Sequence, residues 1–91
     1  MENAKSIWEN ARLTKEKENE QRVNDILVTC ESNANIAAQN NQRCVCFTVF
    51  KEVNVTVWNT VKAELERAGF LFPILTSNED NTKHTIDFDF P

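Results

Sequence analysis

The chain has 91 residues, room for one small domain and not two, and a formal net charge of −4. Hydrophobic residues make up 41% and charged residues 26%, the balance of an ordinary soluble globular protein. No apolar run approaches the roughly 20 residues of a membrane span, and the acidic balance argues against ordinary nucleic-acid binding, because a negative surface repels phosphate backbones.

The opening residues Met1-Glu2-Asn3-Ala4-Lys5 carry no apolar h-region, so no signal peptide is expected, and synthesis and folding in a cytoplasm is the default. Ala4, Ile7, Trp8 and Ala11 recur at helical spacing, and Val23, Ile26, Leu27, Cys30, Ala34 and Ala37 do so again. Between the two sets, residues 14–22 hold no apolar side chain. The first stripe, carried forward, lands on Lys15, Asn19 and Arg22, so one continuous helix is solvated all round in its middle. Two readings follow: a single long helix with a solvated centre, or a detachable arm over residues 1–13 tipped by Ile7, Trp8 and Leu13. The organisation expected is a helical arm over residues 1–20 and one α/β domain over residues 21–91.

Residues 21–39 are expected to cover a sheet and to end at Asn40-Asn41, since asparagine tolerates the left-handed conformation of a chain reversal. Residues 44–50 have strand composition. Asn54 or Thr56 is the expected N-cap of the next helix, in which Val57, Trp58, Val61, Leu65 and Ala68 share one face. Gly69, the only glycine, stops that helix. Residues 70–75 and 84–90 form two more strands, joined across a polar loop at residues 76–83. In the last strand Ile86, Phe88 and Phe90 alternate with Thr85, Asp87 and Asp89, the pattern of one buried and one wet face. Pro73 removes a ladder donor and puts its strand at an edge, which places the last strand in the middle. The first strand is then the other edge, with no proline or lysine to blunt it. The fold class is therefore α/β: a two-layer sandwich with helices on one face of a three-stranded, mostly antiparallel sheet. Ile26, Leu27, Val45, Phe47, Val61, Leu65, Ile86 and Phe88 are its expected core.

Chemistry-bearing residues are few. Cys44 and Cys46 are two apart on a strand, so their thiols share a face. With Cys30 and His84 they make a conceivable Cys3His zinc set, but the spacing fits no common knuckle. Three cysteines leave one unpaired in any disulfide scheme, and the expectation is free, structural thiols. A Cys–His nucleophile pair would need His84 beside Cys44 or Cys46, with no orienting third group in view. Asp87 and Asp89 lie about 7 Å apart on one strand face, where carboxylates usually only solvate the surface. Residues 55–90 also match a helix followed by a two-stranded wing. Lys62 and Arg67 are cancelled there by Glu64 and Glu66, whereas a DNA-reading helix should be basic.

The whole pattern resembles a known group. A first helix of Ala, Asn and Lys character is followed by an amphipathic helix ending Ile36-Ala37-Ala38. A strand comes next, then a helix closing Leu65…Ala68-Gly69-Phe70, and last a hairpin finishing Thr85-Ile86-Asp87-Phe88. This is similar to small uncharacterised proteins of tailed bacteriophages. Asn40-Asn41-Gln42 stands where that group usually has a glycine-containing turn. The resemblance implies no enzyme activity, and a virion component or a factor that binds a host protein. The function expected is accordingly non-enzymatic protein–protein contact, in the host cytoplasm or the virion. The partner is another copy of the chain or another phage or host protein. No cofactor, nucleic acid or membrane is expected to take part. Ile7, Trp8 and Leu13 are the expected contact residues, and a winged-helix nucleic-acid regulator is the alternative.

Overall fold

The computed structural model describes residues 3–91; Met1 and Glu2, the first two residues of the expected arm, lie outside them. The chain runs α1 (Ala4–Gln39), β1 (Cys44–Val49), α2 (Val55–Arg67), β2 (Leu71–Ser77) and β3 (His84–Asp89). The sheet order is β1-β3-β2, antiparallel at both pairings, so the last strand is central and the proline strand is an edge, as its missing donor requires. Both helices lie on one face of the sheet, α1 against β1 and α2 against β2. The α/β two-layer sandwich is the architecture.

Helix ends follow their side chains. Asn3 caps α1 by accepting from the Ser6 N–H at 2.9 Å, and Asn54 caps α2 by accepting from the Val57 N–H at 2.8 Å. Each cap satisfies an otherwise orphaned donor and is worth about 1 kcal/mol. Both helices then close with a pair of reversed backbone hydrogen bonds. Phe70 N–H donates to Leu65 C=O and Gly69 N–H to Glu66 C=O, both at 3.0 Å, around Gly69 at φ +98°. At α1 the same pattern runs from Gln42 to Ala37 and from Asn41 to Ala38, around Asn41 at φ +57°. The turn therefore does without glycine because asparagine takes the left-handed position.

The core is a single layer between helices and sheet. Val23, Ile26, Cys30, Ala34 and Ala37 come from α1, Val57, Val61 and Leu65 from α2, and Val45, Ile86 and Phe88 from the sheet. Phe70 meets Phe88 and Phe90 edge-on, with ring centroids 4.8 and 5.3 Å apart. Leu27 and Phe47, expected inside, are only half-buried. Leu27 sits at the rim of the α1–α2 groove, and Phe47 is on an edge strand with nothing beyond it. Ala68, expected on the buried face of α2, is exposed because the helix is already ending there.

The first half is one unbroken helix of 36 residues. There is no hinge between the expected arm and the domain, and the boundary at residues 20 and 21 does not mark a break. The polar stretch at residues 14–22 is also not wholly solvated. Asn54 Nδ2 donates to Asn19 Oδ1 at 3.1 Å, and Arg22 donates to Glu52 at 3.0 Å. These two links clasp the entrance of α2. Ahead of them no residue from Ala4 to Glu18 is buried. That overhang is about 22 Å long at 1.5 Å per residue, and it accounts for a molecule measuring 59 × 29 × 18 Å.

Candidate functional site

Three surfaces carry the residues that sequence patterns single out. On the overhang, Ile7, Trp8 and Leu13 are 53%, 67% and 49% exposed. They do not form one patch. At about 100° per residue, Ala4, Ile7, Trp8 and Ala11 share a stripe, while Leu13 lies about 140° round the helix from Trp8. That stripe is also turned about 90° from the buried stripe of Val23, Ile26, Cys30, Ala34 and Ala37. A straight helix therefore cannot lay both on the same domain, and Trp8 stays in solvent.

The second surface is the sheet face turned away from the helices. Strand parity puts three rows there. Cys44, Asp89 and Leu71 stand opposite one another, then Cys46, Asp87 and Ile74, then Thr48, Thr85 and Thr76. Both thiols are exposed. The Cys46 thiol is held above its usual range by the neighbouring Asp87 carboxylate and then by desolvation. The Cys44 thiol is raised by desolvation at the sheet surface and then by the Asp89 carboxylate opposite it. A carboxylate beside a thiol disfavours the thiolate, so neither cysteine is activated as a nucleophile. Leu71, Phe72 and Ile74 add 41%, 70% and 54% exposed apolar side chains beside them. Phe72 sits at φ +54° inside a register shift between Leu71 and Ile74, where Pro73 interrupts the ladder.

The third surface is a pocket of about 490 Å³ under the hairpin, lined by Glu52, Val53, Asn54, Trp58, Ser77 and His84 among others. His84 opens β3 and is 3% exposed, on the helix-facing side of that strand. Its Nδ1 lies 2.6 Å from Ser77 Oγ, its neighbour across the ladder. Its Nε2 is buried without a protein partner. Alternation along residues 84–90 carries the signal for this burial, since His84 shares its parity with Ile86 and Phe88.

The conceivable zinc set does not assemble. Cys44 and Cys46 are on the open face, Cys30 is in the core, and His84 is on the opposite side of the sheet from both surface thiols. Among the described residues no three of His, Cys, Asp and Glu are grouped to hold a metal ion. The same separation rules out a Cys–His pair with either surface thiol. Cys30, enclosed by apolar neighbours, has its thiol pushed up to about 12 by desolvation. No described helix is long and apolar enough to cross a membrane.

Fold and surfaces together define a small helix-over-sheet domain with an overhanging helix and one uncovered sheet face. No family model matches this chain, and neither a curated protein nor a solved structure matches it.

Proposed function

We propose that this chain is a non-enzymatic protein of phage type that works by protein–protein contact, as a virion-associated component or a factor that binds a host protein. The overhang of α1 makes the contact. The observation that carries this reading is the apolar stripe of Ile7 and Trp8 on a helix that extends past the last residue held by the domain. A tryptophan and an isoleucine left in water beside each other are typical of an anchor that fills a partner's pocket. Leu13, on another side of the helix, serves a partner that wraps the overhang and is dispensable to one that docks on a single face.

Deleting residues 1–13 tests the proposal. The truncated domain should keep its melting temperature to within about 2 °C, because none of the described residues removed is buried. It should also be missing from purified particles, or from the host protein that the full chain retains. In the full chain, Trp8 emission should shift to the blue on engagement. A truncated domain that still joins the particles or the host protein as the full chain does would sink the reading. Salt-sensitive binding to duplex DNA would replace it with the winged-helix alternative.

A further inference from the structure

We propose that β1 is a self-pairing edge: two copies of this chain join antiparallel through Cys44–Val49, with Cys46 facing Cys46 across the two-fold axis. The argument begins with the ladder already formed. Phe90 N–H donates to Arg43 C=O at 2.8 Å, and the register places Cys44 opposite Asp89. Residues 43 and 90 are therefore a hydrogen-bonded pair. Alternation makes Val45, Phe47 and Val49 the other residues of β1 bonded to β3. Cys44, Cys46 and Thr48 point their backbone N–H and C=O groups the other way, at the free edge. An edge of unpaired donors and acceptors is a template for another strand.

Those groups fit a second copy of the same strand in one register. Placing Cys46 opposite Cys46 puts Cys44 opposite Thr48 in both directions. Every free donor and acceptor of the three residues is then matched, with two hydrogen bonds for each facing pair. Parity is kept, so helix-facing residues meet helix-facing residues. Val45 falls opposite Phe47 of the second copy, a favourable β-branched–aromatic pair. It closes the side of Phe47 that the edge leaves half-exposed.

Charge agrees with this register. Residues 44–49 carry no charge, so the strand stacks on itself without repulsion. Arg43 of the second copy falls opposite Val49 on the helix-facing side. Val49 borders a groove that contains Asp25, and Asp25 already draws Lys51 to 3.6 Å. The two-fold axis supplies that Asp25–Arg43 attraction twice. The opposite edge offers nothing comparable, because Pro73, the register shift and Phe72 at positive φ break β2. Two-fold pairing uses up both β1 edges and leaves only the interrupted β2 strands at the ends of the six-stranded sheet.

The register makes a test that random association cannot imitate. Facing residues of a hydrogen-bonded antiparallel pair have Cα atoms about 5.5 Å apart, inside the roughly 4.4–6.8 Å range of a disulfide. Cys44, opposite Thr48, has no such partner. The full-length protein is prepared as Cys44→Ser, which retains Cys46, and as Cys46→Ser, which retains Cys44. Each is treated with the azo oxidant diamide, which takes up two electrons and two protons as two thiols become one disulfide. Cross-linked dimer should form at least tenfold faster with Cys46 retained. Equal rates, or faster cross-linking through Cys44, overturn the register. A second measurement covers association itself. Under reducing conditions sedimentation should give the mass of two chains, and Thr48→Pro should give one chain with an unchanged circular dichroism spectrum. That proline removes only a donor that faces the free edge. A single-chain mass for the unmodified protein at about 100 μM, a concentration at which even weak specific pairing is populated, overturns the proposal. Deleting residues 1–13 should leave the dimer intact, so failure of the overhang reading and failure of this one are separate results.

Discussion

Asn54 ties the two helices together with one side chain: its Oδ1 accepts from the Val57 N–H at 2.8 Å while its Nδ2 donates to Asn19 Oδ1 at 3.1 Å. The same residue that starts α2 thus decides where α1 stops being part of the domain. No residue from Ala4 to Glu18 is buried, and the buried residues of α1 all follow Asn19. A polar stretch that looks merely solvated in the sequence is, at this point, a fastening.

Removing that fastening should cost more than removing an ordinary cap. Asn54→Ala loses both bonds and should destabilise by about 1–2 kcal/mol, a fall in melting temperature of roughly 4–16 °C for a domain of this size. Asn54→Asp keeps the acceptor for Val57 and loses the donor for Asn19, so it should fall by less than half as much. Equal losses for the two variants would mean that the cap on Val57 contributes nothing, and no loss in Asn54→Asp would mean that the Asn19 bond contributes nothing.

The reversed closures of the helices predict opposite responses at equivalent positions. Gly69 sits at φ +98° with open space where a Cβ would stand, so Gly69→Ala meets backbone strain alone and should cost about 1 kcal/mol. Asn41 occupies the same place after α1 at φ +57°. Asn41→Gly should be neutral or stabilising by a few tenths of a kcal/mol, and Asn41→Val should cost about 1–2 kcal/mol. Urea midpoints of the three variants check the order.

The single core layer should be intolerant of truncation. Phe88 is 1% exposed and Leu65 3%. Phe88→Ala or Leu65→Ala should cost about 2–5 kcal/mol, enough to unfold much of a domain this small. A loss below about 1 kcal/mol at both sites would show that the packing differs from that described.

The thiols should separate by reactivity and by pH. Iodoacetamide should label Cys44 and Cys46 in the native protein and reach Cys30 only on unfolding. Asp87→Asn removes the carboxylate that disfavours the Cys46 thiolate, so labelling of Cys46 at pH 8 should become several-fold faster. An unchanged rate would show that Asp87 does not act on the thiol. Cys30 has its folded value pushed up to about 12, above the unfolded thiol's ordinary value, so the folded state holds that proton more tightly. Its contribution is complete below the unfolded value and declines as pH rises from there toward 12. The stability lost on Cys30→Ala should therefore be largest at neutral pH and shrink above about pH 9. A gap that widens with pH would refute the burial of that thiol.

Several features of this chain were legible because each rests on a short-range rule. Alternation at residues 84–90 identifies a half-buried strand, Pro73 identifies an edge, and together they put β3 in the middle of the sheet. Asn54 and Gly69 mark the limits of α2 by the chemistry of helix ends. The apolar spacing of α1 was equally legible, as two stripes out of phase. What periodicity could not say is whether the helix between them continues, because a solvated middle and a broken one have the same composition. Contacts from a distant loop decided it: Asn19 and Arg22 are held by Asn54 and Glu52, residues 35 and 30 positions away.

By itself the sequence determined the helix-over-sheet class, the order of the strands and the side each residue of β3 faces, since those follow from period, breakers and caps read within a few residues. Only the tertiary structure decided that Leu27 and Phe47 lie at the rim, that Leu13 stands apart from Trp8, and that His84 is enclosed against Ser77 while the surface thiols lie on the far side of the sheet. These depend on where each layer ends and what stands across from it. A one-dimensional pattern gives a residue's direction within its own element but not the neighbour that meets it there.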